Sequence, residues 1–165
     1  KRRRKTFMFA PYFDKLEETW SGIFSERDIR FIHTYIEDTS MRAFEIDFDS
    51  IFYNLLSNSI EAFIRSRDNS PREIEVSLKT TEKTIVCTYK DNGPGLSNDI
   101  VNPYDIFQPL FTTKRSASTG EEIGTGLGMY LVKLIAEDYD ARITLLTPAK
   151  GFGIQFIFPI KYMPK

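Results

Sequence analysis

The segment from Glu73 to Gly95, EIEVSLKTTEKTIVCTYKDNGPG, decides how the rest of the chain is read. Glu73 to Lys79 alternates apolar and polar residues, Thr84 to Tyr89 does the same, and Thr81-Glu82-Lys83 stands between them. A period of two marks a half-buried strand, and a short polar connection between two such runs makes an antiparallel hairpin. The second strand runs straight into Asp91-Asn92-Gly93-Pro94-Gly95, a turn sequence that carries a carboxylate. A carboxylate at a strand end, followed by glycines that let a flat ring pass close to the backbone, suits recognition of an exocyclic amine.

Working outward, the stretch before the hairpin changes period. Ile51, Leu55, Ile60, Phe63 and Ile64 are spaced as one face of a helix, with Asp49 placed to cap it and Asp68 to Pro71 to break the chain after it. Arg42 to Phe48 (RAFEIDF) alternates and reads as a strand, as does Asp28 to Ile36. Phe13, Leu16 and Trp20 predict a short helix within Phe9 to Trp20. The basic run Lys1 to Lys5 predicts a solvated linker, or the end of a preceding helix, reaching to about residue 12; residues 13–165 form the domain proper. After the hairpin, Gly124-Thr125-Gly126-Leu127-Gly128 opens into a helical pattern, Met129 to Ala136. Ala141 to Thr147 and Phe152 to Pro159 then make a second alternating pair, joined by Pro148-Ala149-Lys150-Gly151. This order departs from strict strand-helix alternation. It predicts a two-layer α/β sandwich, with a mixed, mostly antiparallel sheet carrying helices on one face.

Composition narrows the function classes. With 22 basic and 23 acidic residues, nothing pulls the chain globally toward nucleic acid, so a polyanion must be held by a local site. A single cysteine, Cys87, lies in an apolar alternating run and reads as an inert core thiol in a reducing compartment. No apolar run reaches the roughly 18 residues of a membrane span, which argues against membrane contact by this domain. The expected setting is the cytoplasm, either free or as the cytoplasmic part of a larger, membrane-anchored protein.

Four short motifs carry the chemistry. On the helix, Asn54 and Asn58 are four apart and share a face, and their amide oxygens are hard enough for Mg²⁺. The second motif is Asp91 to Leu96. The third, Ile106-Phe107-Gln108-Pro109-Leu110-Phe111-Thr112-Thr113-Lys114, supplies aromatics, hydroxyls and an amine, and the small polar run Arg115 to Ile123 behind it has the composition of a lid. The fourth is the glycine run. Glycines admit a close anion, and a helix start offers free N–H groups.

In this order, the four motifs resemble the N, G1, F and G2 boxes of the GHKL superfamily, named for gyrase, Hsp90, histidine kinases and MutL, whose fold is of the Bergerat type. The resemblance runs from about Asp28 to Ile160 and implies a site for ATP and Mg²⁺. It implies that Asp91 accepts a hydrogen bond from the adenine amine, with Gly93, Gly95 and Leu96 beside the ring. Phe107, Thr113, Thr125 and Leu127 belong to the binding segments, and Gly124, Gly126 and Gly128 wrap the phosphates. Lys114 and Arg115 would neutralise the terminal phosphates. Asn58 would hold Mg²⁺, with Asn54 supporting it directly or through water.

The branches of the family differ at position 54. The hydrolysing members have a glutamate four residues before the metal asparagine, and an amide cannot serve as a general base. The histidine-kinase branch is therefore implied, with transfer of the γ-phosphoryl group to a histidine on a dimerisation domain outside this chain, and a response regulator as the further partner. Two alternatives are a GHKL module using ATP as a conformational clamp and a serine kinase of the anti-sigma-factor kind. Glu61 and Ala62 depart from the many sensor kinases that have a basic and an aromatic residue there; Phe63 is the nearest substitute ring. His33, the only histidine, lies in a strand-like run, whereas the family's acceptor lies on a helix. The acceptor helices would precede Lys1.

Overall fold

The computed structural model describes residues 2–35, 39–111 and 126–163. Seven strands and three long helices follow in the order β1 (Lys5–Met8), α1 (Phe9–Glu26), β2 (Ile29–Tyr35), β3 (Ser40–Ala43), α2 (Glu45–Arg65), β4 (Arg72–Thr80), β5 (Thr84–Asp91), α3 (Gly128–Asp138), β6 (Arg142–Leu146) and β7 (Gly153–Pro159). Short 3-10 helices at Pro103–Phe107 and Ile160–Tyr162 complete the order among the described residues. The main sheet has the strand order β2-β4-β5-β7-β6; β2 and β4 are parallel and the other neighbours antiparallel. β1 and β3 form a separate antiparallel pair. The mixed sheet, with its helices on one face, is the predicted architecture, and the hairpin β4–β5 turns at residues 81–83 as expected.

Period two explains which side chains reach the core. Ile74, Val76 and Leu78 of β4, Ile85, Cys87 and Tyr89 of β5, and Ile154, Phe156 and Phe158 of β7 are all buried, with the residues between them more exposed. Asp91 continues the inward series of β5 by parity, so a carboxylate arrives beneath the helices at the sheet's end. Burial also pushes the Cys87 thiol up to about 12, which makes it unreactive as read from the sequence.

Three segments differ from expectation. Arg42 to Phe48 does not continue as a strand: β3 ends at Ala43, and α2 begins at Glu45 with Phe44, not Asp49, at its N-cap. Phe48, Phe52 and Leu55 belong to the same buried helical stripe as Ile51. Glu45 and Asp47 lie in the first turn, where the helix dipole favours negative charge. The alternation of a short apolar run cannot outvote a stripe that extends through Phe63. The helix expected to be short spans 18 residues, because Pro11 falls in its first turn, where no helical hydrogen bond is lost, and Gly22 faces open space.

The third correction is to the N-terminal linker. Residues 5–12 are strand and helix, and Phe7, Phe9 and Tyr12 enter the core, Phe7 stacking on Phe48 with ring centroids 4.2 Å apart. Within the basic run, Arg4 is not simply solvated. Its guanidinium lies 4.2 Å from the Tyr139 ring and 4.9 Å from that of Tyr162, and pairs with Asp138 at 2.7 Å. Tyr139, itself buried, donates to Asp47 Oδ2 at 2.7 Å and accepts the Phe44 N–H at 2.9 Å. The C-terminal end of α3 is thereby tied to the first turn of α2. His33, on β2, meets Glu17 of α1 at 2.9 Å and Asp14 at 3.5 Å, a contact between layers.

Candidate nucleotide site

A cavity of about 790 Å³ opens between α2, the loop after β5 and the start of α3. Its α2 wall includes Asn54, Asn58, Glu61 and Arg65, spaced three or four apart along one helical face. Asn54 Nδ2 donates to Ser50 O at 2.8 Å, which leaves its oxygen turned toward the start of α3. A Cβ on Gly128 would lie 2.6 Å from that oxygen, so α3 can begin against Asn54 only because residue 128 has no side chain. Gly126 has φ +67, and a Cβ there would lie 2.4 Å from the Leu110 carbonyl carbon. The backbone on either side of the 111–126 stretch is thus brought into contact.

At the other end stands Asp91, 6% exposed. Its Oδ1 accepts the backbone N–H groups of Gly93 at 3.0 Å and Phe152 at 3.1 Å, and its Oδ2 accepts the Ser59 hydroxyl at 2.6 Å. Ser59 Oγ is 2.7 Å from the Tyr89 hydroxyl, which also reaches Leu55 O at 3.1 Å. Burial, reinforced by the charge of Asp91, pushes the Tyr89 phenol well above its ordinary value despite the Ser59 hydrogen bond, so it keeps its proton. A carboxylate has about four acceptor positions, and three are filled. The fourth, on Oδ2, remains for a donor in the cavity.

The surrounding loops hold this end in place. Asn92 accepts the Glu73 N–H at 2.8 Å and donates to Pro71 O at 2.7 Å. Gly151, with φ +96, lies so close to Asp91 that a Cβ would be 1.9 Å from its carbonyl oxygen. Lys150 beside it pairs with Asp68, holding that carboxyl well below the usual range with help from Ser70.

Of the ten expected site residues that are described, seven converge on this cavity. Asn54, Asn58, Asp91, Gly95, Leu96, Gly126 and Gly128 line it. Gly93 serves the carboxylate: its N–H binds Asp91, and a Cβ there would press on Asp91 and on the Phe63 ring at 3.3 and 3.4 Å. Gly95, with φ +76, packs against Gly151 O. Phe63 is the packing ring under this loop. Phe107 goes elsewhere; it is buried beside a separate 440 Å³ pocket, while Ile106 and Phe111 line the main cavity. A loop's aromatic spacing does not reveal which ring turns inward. Leu127 is 43% exposed, between two lining glycines. Thr113, Lys114, Arg115, Gly124 and Thr125 lie outside the described residues.

Sequence reading missed Ser59, Tyr89, Arg65 and Gly151. The first two could have been found by parity: Tyr89 is two before Asp91 on the same strand face, and Ser59 follows Asn58 on a helix packed over that face.

The chain matches the family described as Histidine kinase-, DNA gyrase B-, and HSP90-like ATPase over residues 44–162. It belongs to that family. The match spans α2, the Asp91 loop and the start of α3, all of the elements that bound the cavity. Within the family, the chain is similar to sensor kinases and shares the fold of solved histidine-kinase catalytic domains. Autoinducer 2 sensor kinase/phosphatase LuxQ of Vibrio vulnificus (strain YJ016) is 25% identical over 162 residues, covering 96% of this chain and 19% of LuxQ, so the chain spans about a fifth of that relative. A structure of the catalytic domain of histidine kinase ThkA superposes with a TM-score of 0.76 at 21% identity, covering 96% of each chain. ThkA in complex with response regulator protein TrrA gives 0.72 at 19% identity, covering 94% of this chain and 41% of that one. Among the described residues, no helix is long and apolar enough to cross a membrane.

Proposed function

We propose that this domain holds Mg-ATP in the cavity and donates the γ-phosphoryl group to a histidine on a separate dimerisation domain, which passes it on to a response regulator. The observation that carries the reading is Asn54, an amide where a hydrolase of this family would need a carboxylate. Glu61 also lines the cavity, but seven residues further along α2, about 10 Å along the axis. Asn54 is positioned by its own hydrogen bond to Ser50 and abuts the start of α3, where phosphates bind well. An amide orients groups but takes no proton from water, so transfer to a nucleophile brought from outside is the chemistry favoured.

Asp91 receives the adenine amine on its remaining acceptor position. Gly126 and Gly128, with Lys114, Arg115, Gly124 and Thr125, are assigned to the phosphates. Among the described residues, no group of three or more His, Cys, Asp or Glu could hold a metal. Mg²⁺ suits such a site, since it commonly takes one or two protein oxygens and completes its shell with water and substrate phosphates. Asn58 would supply the protein oxygen, with Asn54 in support; the ion, when bound, offsets charge on the phosphates. ATP as the donor places the domain in the cytoplasm. The response regulator is proposed from the ThkA complex with TrrA, a protein of the same fold.

The test supplies γ-labelled ATP, Mg²⁺ and a histidine-bearing dimerisation domain in trans. Acid-labile, base-stable label on that domain is expected; label on serine, or none with ATP bound, would move the reading to the serine-kinase or clamp alternative.

A further inference from the structure

Two hydroxyls stand behind the Asp91 carboxylate, and the adenine assignment alone does not explain them. Ser59 is 3% exposed and Tyr89 is fully buried; tyrosines aside, Ser59 and Asp91 are the buried polar side chains among the described residues. Burying two hydroxyls without purpose is costly, and phenylalanine and alanine would fill the same space.

Their protons can be counted. Ser59 has one and gives it to Asp91 Oδ2, at 2.6 Å. Ser59 Oγ is then an acceptor facing the Tyr89 hydroxyl at 2.7 Å, and Tyr89, which keeps its proton, lies between that oxygen and Leu55 O. With the Ser59 proton on Asp91, the 2.7 Å contact is bonded only when Tyr89 turns its single proton to Ser59 rather than to Leu55 O; in that arrangement the chain Tyr89 to Ser59 to Asp91 runs one way, with the carboxylate as the terminal acceptor. Hydrogen bonds aligned in this sense polarise one another. Two backbone N–H groups fix Oδ1, and only Ser59 fixes Oδ2, the oxygen with the open position.

We propose that Ser59, backed by Tyr89, is a positioning residue for nucleobase selection: it aims the open acceptor position of Asp91 Oδ2 into the cavity, so that a base carrying an amine is held and one carrying a keto oxygen is not. The proposal rests on the adenine role of Asp91. A 6-amino group donates to this oxygen, whereas a 6-keto oxygen would meet it lone pair to lone pair. Loss of Ser59 removes the aim from the oxygen that only the amine uses, so its effect is confined to amine-bearing nucleotides.

The experiment is a calorimetric titration of ATP and inosine triphosphate into the protein and its Ser59→Ala, Ser59→Thr and Tyr89→Phe variants, with melting curves confirming folding. Ser59→Ala should weaken ATP about tenfold, as for loss of one hydrogen bond to a charged group. Inosine triphosphate should change by less than threefold, so that the preference for ATP contracts. Tyr89→Phe should act in the same direction with a smaller effect, and Ser59→Thr, which keeps the hydroxyl, should restore most of the preference. Equal weakening of both nucleotides in Ser59→Ala, or unchanged ATP affinity, would overturn the proposal. A parent protein that binds the two nucleotides equally, or an Asp91→Asn variant that still prefers ATP, would instead overturn the adenine reading itself.

Discussion

At one end of the cavity Asp91 is held by Ser59, Gly93 and Phe152, with Asn92, Gly151 and the Lys150–Asp68 pair stiffening the loops around it. At the other, Gly126 and Gly128 approach Leu110 and Asn54 by bare backbone, and hydrogen bonds through Tyr139 tie the far end of α3 to the first turn of α2. The end proposed for the base depends on polar satisfaction, so a wrong atom there should cost affinity directly. The end proposed for the phosphates depends on the relative setting of two helices, so it should respond to space at their junction and to a tie at the end of α3 away from the cavity.

The largest effect expected is at the base end. Asp91→Asn keeps an oxygen for the backbone N–H groups but faces Ser59 and the adenine amine with an NH₂. ATP affinity should fall by about 30- to 100-fold, corresponding to about 2–3 kcal/mol. Calorimetry gives the affinity, and an unchanged far-ultraviolet spectrum with a similar melting point shows that the fold survives. Unchanged affinity would remove Asp91 from base recognition.

Gly128→Ala probes the other end. The new methyl would displace the Asn54 amide, weakening ATP by about tenfold while leaving adenosine, which has no phosphates, within about twofold. Equal losses for both ligands would mean that the two ends are not separable.

Tyr139→Phe removes the tie between the helices. The Phe44 N–H and Asp47 would lose their partner, and denaturant unfolding should report about 1–3 kcal/mol of lost stability. Because the same tie sets α3 against α2, ATP should weaken more than adenosine in this variant as well. No change in stability would show that water replaces the hydroxyl at no cost.

Acid titration should give the smallest effect. Asp68 is held below its ordinary range by Lys150 and Ser70, so it is ionised more readily folded than unfolded. Its contribution is complete above the unfolded value, about pH 4, and fades as the pH falls further, toward the folded value. The group is exposed and well screened, so the change should be slight. Lys150→Met should lower stability by a slight, constant amount from neutral pH down to about pH 4, and the difference should close as Asp68 is protonated below that; a difference that is absent at neutral pH and appears only in acid would contradict the assignment.

The base end was the more legible in sequence because its determinants are local. Parity along Thr84 to Asp91 carries a carboxylate to the inner face, and i, i+4 spacing carries Asn54 and Asn58 to one side of α2. What escaped depends on contacts that no short window contains. Arg4 and Asp138 are 134 positions apart, and nothing in a basic run shows that one arginine will lie over Tyr139. Gly151 looks like a hairpin turn until the Asp91 loop is seen against it. The misread strand at RAFEIDF is a different failure: period two and period 3.6 overlap over a few residues, and the longer stripe prevails. Phe107 shows that a motif can place a segment without telling which of its rings faces the ligand.

On the proposed reading, the two ends hold ATP with an amide, Asn54, where a hydrolase of this family has a carboxylate. The most direct measurement saturates the protein with ATP and Mg²⁺ and follows free phosphate and remaining ATP over several hours. Nearly all of the ATP should be recovered intact, with binding confirmed by calorimetry on the same sample. Sustained steady-state phosphate release, abolished by Asp91→Asn, would contradict the account and show that a residue other than Asn54 activates water.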